Sequence, residues 1–174
     1  IRCQDNATDQ PPAIIPNAPA CDIKIVVTGD LVMAAGSQIN ANNEVQGGKG
    51  GDITITVGGD MTMCAQTGTA PGGVCSAPAP NTPGALISAT AFGTNAGDTG
   101  GTVTITVGDK ATAVGAFYME GGTTGYGTET GAKIVVTAAR AAGDISITSG
   151  STYFTEPRAV VEAGGFNRNS DHQG

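Results

Sequence analysis

The sequence predicts an all-β fold, a parallel β-solenoid (β-helix) of about four three-strand rungs behind an irregular, proline-rich N-terminal tail. Three observations carry this. The 174 residues include 28 glycines without a Gly-X-Y period. That excludes collagen and leaves either a low-complexity chain or a fold with a tight turn every few residues. Apolar residues alternate with threonine, as in Ile53-Thr54-Ile55-Thr56-Val57, the pattern of a strand with one buried face. Finally, a Gly-Asp dipeptide recurs after β-rich runs, at Gly29-Asp30, Gly59-Asp60, Gly108-Asp109 and Gly143-Asp144.

The runs upstream of these dipeptides predict the first strand of each rung: Ile23 to Thr28, Ile53 to Val57, Val103 to Val107 and Ile134 to Thr137. Two of them share Lys-Ile-Val-Val-Thr, at 24–28 and 133–137. Downstream, Leu31-Val32-Met33, Met61-Thr62-Met63, Lys110 to Ala113 and Ile145-Ser146-Ile147 predict the second strand. A Gly followed by Ser or Ala then opens a third, at Gly36-Ser37, Gly84-Ala85, Gly115-Ala116 and Gly150-Ser151. The third strands run from Gln38 to Ala41, Leu86 to Ala89, Phe117 to Met119 and Thr152 to Phe154. Loops such as Gly47-Gly48-Lys49-Gly50-Gly51 return to the next copy.

Rungs stacked about 4.8 Å apart place equivalent residues in ladders. The expected inward ladders are Ile23, Ile53, Val103 and Ala132; Ile25, Ile55, Ile105 and Ile134; and Val27, Val57, Val107 and Val136. No rung buries its apolar face alone, so stability is a nearest-neighbour sum down the stack. The domain reading is a tail at 1–20, with Pro11, Pro12, Pro16 and Pro19, then a solenoid at 21–174. Its rungs fall near 21–51, 52–101, 102–131 and 132–174, with an insertion at 64–83 that becomes a surface loop. A solenoid end exposes a sheet edge and an uncovered core, so either self-association or continuation into a longer solenoid is expected at 174.

Net charge is −7 with eight scattered basic residues, which offers no basic stripe for nucleic acid. No apolar run is long enough to span a bilayer as a helix. The chain begins at Ile1 without Met and reads as a processed or excised piece. Cys3, Cys21, Cys64 and Cys75 contain no C-x-x-C pair, so disulfides in an oxidising compartment are favoured over zinc. Three connectivities are open; the simplest is Cys3–Cys21 with Cys64–Cys75, each closing one irregular segment. Asn6-Ala7-Thr8 is a glycosylation sequon.

The stretch Gly29 to Ala41, followed by Gly47 to Ile55, resembles the repeats of filamentous-haemagglutinin-like exoproteins and related bacterial surface β-helix proteins. The resemblance covers roughly residues 21–170. It implies a right-handed parallel β-helix that is secreted and serves at the cell surface in attachment, matrix or fibre formation. The cysteines and the 64–83 insertion depart from the plainest repeats of that kind.

The residues offer little for catalysis. His172 is the only histidine, so any Ser-His-Asp or Cys-His arrangement depends on it alone. A β-helix enzyme acting on polysaccharides would need clustered carboxylates and bases on one outward face, and the outward positions of the first strands are mostly Thr. No enzyme and no cofactor are expected. Asp30, Asp60, Asp109 and Asp144 were they to stack at one corner would repel, and turn amides, lysines or Ca²⁺ must offset this. The plainer reading has each Asp capping its own turn. Phe117, Tyr118, Tyr153 and Phe154, on the third strands of neighbouring copies, suggest an aromatic stack closing a corner of the core, the alternative being an exposed stripe used for association. The expected function is structural, in a surface fibre, matrix or adhesin. The alternative is a module that binds a host glycan or protein receptor through the 64–83 loop.

Overall fold

The structure, a computed structural model, describes residues 1–2, 20–44, 48–65, 73–76, 82–92, 98–122, 131–138 and 141–165. Its first six strands are β1 (Ile23–Val27), β2 (Leu31–Met33), β3 (Gln38–Asn40), β4 (Ile53–Val57), β5 (Met61–Met63) and β6 (Leu86–Ser88). The others are β7 (Val103–Val107), β8 (Phe117–Met119), β9 (Lys133–Ala138), β10 (Ile145–Ser149), β11 (Tyr153–Thr155) and β12 (Val160–Gly165). They form three four-stranded sheets, ordered β1-β4-β7-β10, β2-β5-β8-β11 and β3-β6-β9-β12. Every pairing between these strands is parallel. The fold is all-β and solenoid-like: each consecutive triplet of strands sends one strand to each sheet.

Alternation decides what is buried, because successive side chains of a strand point to opposite faces. In the first sheet, Ile23, Ile53, Val103 and Ile145 stack in register, as do Ile25, Ile55, Ile105 and Ile147. The second sheet turns Leu31, Met61, Phe117 and Tyr153 inward, and the third Ile39, Ile87, Ile134 and Val161. These ladders meet in one apolar core, with partial burial at its two ends. Threonine takes the outward places: Thr54 stacks on Thr104, and Thr56 on Thr106.

The first two triplets follow the predicted strands; the third does not. Residues 110–113 form no strand. Gly108 and Gly115 take positive φ values of 65° and 96°, and Asp109 and Val114 exchange backbone hydrogen bonds of 2.8 and 3.2 Å across a closed turn. With this segment used up in the turn, β8 joins the second sheet instead of the third. β9 then pairs with β6 in the third sheet, and β10 starts the fourth triplet. The expected boundaries at 102–131 and 132–174 therefore move, and β9 belongs with β7 and β8. Ala132, Ile134 and Val136 leave the first-sheet ladders, where Ile145, Ile147 and Ser149 stand instead.

Gly-rich corners let neighbouring triplets approach. A Cβ on Gly143 would lie 1.6 Å from the Gly101 carbonyl oxygen, closer than any side chain permits. Of the expected tail, residues 1–2 lie along the free edge of β3: the Asn40 amide donates to the Ile1 carbonyl at 3.0 Å, and Arg2 bridges Asn40 in parallel. Residues 3–19, including Asn6, lie outside the described residues.

Candidate functional site

The four aspartates singled out in the sequence do not form one ladder. Asp30 and Asp60 occupy the corner between the first and second sheets, and each carboxylate reaches to the next triplet. Asp30 Oδ1 accepts the Asp60 amide, and Asp60 Oδ1 accepts the Ala116 amide, both at 2.8 Å. Asp109 lies within the 108–115 turn and caps it locally, accepting the Ala111 amide at 2.8 Å. Asp144 precedes β10, at the corner where Asp22 and Asp52 precede β1 and β4. There Asp22 accepts the Asp52 amide at 2.9 Å and Asp52 the Thr102 amide at 2.8 Å. The four-carboxylate calcium ladder is thus not assembled, because Asp109 and Asp144 stand at other places in the coil. The capping role holds in altered form: Asp30, Asp60, Asp22 and Asp52 satisfy the neighbouring triplet's amide rather than their own turn's. Such charge-assisted bonds to backbone N–H groups are among the stronger kinds.

Cys64 and Cys75 form a disulfide with Cα atoms 5.5 Å apart. It staples the insertion to the end of β5 and packs against Tyr118. Cys21 is also disulfide-bonded; the partner expected for it, Cys3, lies outside the described residues. The buried Glu120 carboxylate, near Cys64 and Cys75, accepts the Ala65 amide at 2.5 Å and so holds the start of the insertion. With both sulfurs in a disulfide, this cluster offers no thiolate to a metal. The bridge closes a loop of sequence separation 11, so Cys64→Ser/Cys75→Ser is expected to lower stability by about 3 kcal/mol by loop entropy. Urea unfolding of the variant beside the parent protein checks this.

Between the insertion and the outer face of the second sheet runs a groove of about 590 Å³. Its floor is the outward ladder Val32, Thr62, Tyr118 and Phe154. Asp30 and Asp60 line it, and Val74, from the disulfide loop, and Glu156 line it too. Glu156 accepts the Tyr118 hydroxyl and, at 2.9 Å, the Gly121 amide. The aromatics stack in pairs, Tyr118 on Phe154 and Phe117 on Tyr153, each with centroids 5.4 Å apart. They sit in the second sheet, not the predicted third. The inner pair closes the core, and the outer pair belongs to the groove.

The fourth triplet is the least covered. Tyr153 is 47% exposed and Val161 43%, whereas Phe117 and Ile134, one triplet earlier on the same inward ladders, are fully buried. Partial burial still raises the Tyr153 hydroxyl above its ordinary pKa. It lowers that of the Lys133 ammonium, which Glu162 partly restores. His172 lies outside the described residues.

Sequence reasoning missed the groove and the second Asp corner. A signal for the corner was present: Asp-Ile-x-Ile occurs at 22–25, 52–55 and 144–147, and aligning on it would have placed β10 in the first sheet. No family model, curated protein or solved structure matches the chain.

Proposed function

We propose that this chain is an extracellular structural solenoid. On this reading it is four rungs of a right-handed parallel β-helix, a segment of a surface fibre, matrix or adhesin, whose last rung takes a further rung edge to edge. The observation that carries the reading is the contrast between inner and last triplets: side chains of the same inward ladders are fully buried at Phe117 and Ile134 and about half exposed at Tyr153 and Val161. Among the described residues no strand pairs with the outer edges of β10, β11 and β12, and free edges over partly exposed apolar ladders are templates for further strand pairing. Asp144 adds to this, since Asp22 and Asp52 at the same corner each accept the next triplet's amide. The opposite edge is partly occupied, because residues 1–2 lie along β3. The Cys64–Cys75 bridge fits an oxidising, extracellular setting, and the resemblance to exported surface β-helix repeats points the same way.

Analytical ultracentrifugation and electron microscopy over a concentration series test the proposal. The chain is expected to associate as concentration rises. Tyr153→Lys/Val161→Lys, which places charges on the inward side of the open edge, is expected to stay monomeric with its β-sheet circular dichroism intact. Dispersed wild-type monomers at the highest concentration would overturn the reading. A second reading, a binding module, is favoured by the groove beside the 64–83 insertion.

A further inference from the structure

We propose that the groove on the outer face of the second sheet seats an extended basic segment of a partner protein, with Lys or Arg stems on the apolar floor and their cationic heads on Asp30 and Asp60. The inference is independent of stacking at the open edge.

The chemistry of the lining selects this occupant. Three carboxylates, Asp30, Asp60 and Glu156, line the groove, and no basic residue does so among the described residues. The insertion sequence, 64–83, which gives Val74 to the lining, contains no Lys, Arg or His at all. An anionic ligand would meet carboxylates and no counter-charge. Asp30 and Asp60 are exposed, and each holds the neighbouring amide through Oδ1. This fixes the carboxylates in place while leaving their second oxygens to accept from a ligand. Strand spacing sets them roughly 4.8 Å apart, so two acidic groups act on one cation or on adjacent ones.

The floor is apolar where it is open: Val32 is 43% and Phe154 49% exposed. A ligand that matches must join a cation to an apolar stem, which Lys and Arg do on one side chain. Arg adds a fork suited to carboxylates. A sugar fits less well. The Tyr118 ring is buried and stacked on Phe154 and its hydroxyl is taken by Glu156, which leaves half-exposed Phe154 as the one open ring among the described lining residues. The volume is within the usual range of about 300–1,000 Å³ for ligand sites, and the groove touches all four strands of the sheet. That extent suits several residues of an extended chain.

The test is fluorescence anisotropy of the full chain with a labelled peptide of alternating Arg and Val, with spermidine and a neutral oligosaccharide as competitors. Asp30→Asn/Asp60→Asn keeps a side-chain oxygen for each amide while removing the charges. It is expected to weaken peptide binding about tenfold or more, as loss of paired interface charges does, and the affinity should fall with added salt. Asp22→Asn/Asp52→Asn makes the same change at the other corner, outside the groove, and is expected to leave affinity within about twofold. Melting curves of both variants establish that they fold. The proposal is overturned if the peptide does not bind at millimolar concentration, or if both double variants lose affinity equally, which would mark bulk charge. Competition by spermidine at the peptide's own affinity would also overturn it, assigning the groove to a free amine, as would displacement by the neutral oligosaccharide.

Discussion

Phe117→Ala is expected to lower the unfolding free energy by about 3–5 kcal/mol, the usual cost of truncating a buried Phe. Phe117 is fully buried. It lies between Met61 and Tyr153 on an inward ladder and stacks on Tyr153 at 5.4 Å. Its loss removes buried area, an aromatic pair and the filling between the second and fourth triplets at once. Against a typical domain stability of roughly 5–15 kcal/mol, this is a large share. Because solenoid stability is a sum over neighbours, the loss is expected first as early melting of the fourth triplet, broadening the transition. Phe154→Ala, on the outward side of β11 and about half exposed, should cost about 1 kcal/mol. Urea titrations followed by circular dichroism compare the two; equal costs would contradict the inward and outward assignment of this sheet.

Gly108→Ala carries the other large effect. Its φ of 65° lies in the left-handed region, and a Cβ there would sit 1.8 Å from the Val114 carbonyl oxygen. The backbone conformation alone costs a non-glycine residue about 1–2 kcal/mol, and the clash adds to it, because the obstacle is main chain and cannot rotate away. A total above about 3 kcal/mol is expected, in the range reserved for strain and overpacking. Gly29→Ala is the control: this glycine opens the first Gly-Asp dipeptide, two residues after β1, has no positive φ, and a Cβ there meets nothing within 4 Å. That substitution should fall within about 0.5 kcal/mol of the parent. Thermal melts of the pair decide it. Similar melting temperatures would mean that the 108–115 turn is not the closed structure described.

These two glycines also show why the sequence could be read well through the second triplet and less well after it. Gly29-Asp30, Gly59-Asp60 and Gly108-Asp109 look alike as dipeptides. Only at Gly108 does the chain close a turn onto Val114, and that depends on the close passage of Gly115, a contact between backbones that leaves little trace in a pattern of side chains. Likewise, Lys-Ile-Val-Val occurs in β1 and again in β9, yet the two lie in different sheets. Alternation states that one face is buried; it does not state which sheet the strand joins, since any wall of the core rewards it equally.

The candidate site was legible only in its parts. Asp30, Asp60, the outer aromatics and the Cys64–Cys75 loop each stood out, the cysteines because pairing across a short Pro-rich segment is simple to foresee. Their convergence was not visible. Thr62, Tyr118 and Phe154 come from three different triplets, and only the parallel register brings them into one groove with Val74.

By itself, then, the sequence determined the strand periodicity, the turn-rich all-β class and the inward ladders of the first two triplets, and it offered Cys64–Cys75 as part of the simplest of three disulfide connectivities. Those features follow from local chemistry: alternation, glycine at corners and cysteine spacing. Tertiary structure alone decided which sheet β8, β9 and β10 join, which amides the aspartates cap, and that acidic and apolar groups share one groove. Each of these rests on contacts between segments some 30 to 60 residues apart, where stacking geometry rather than residue type selects the partner.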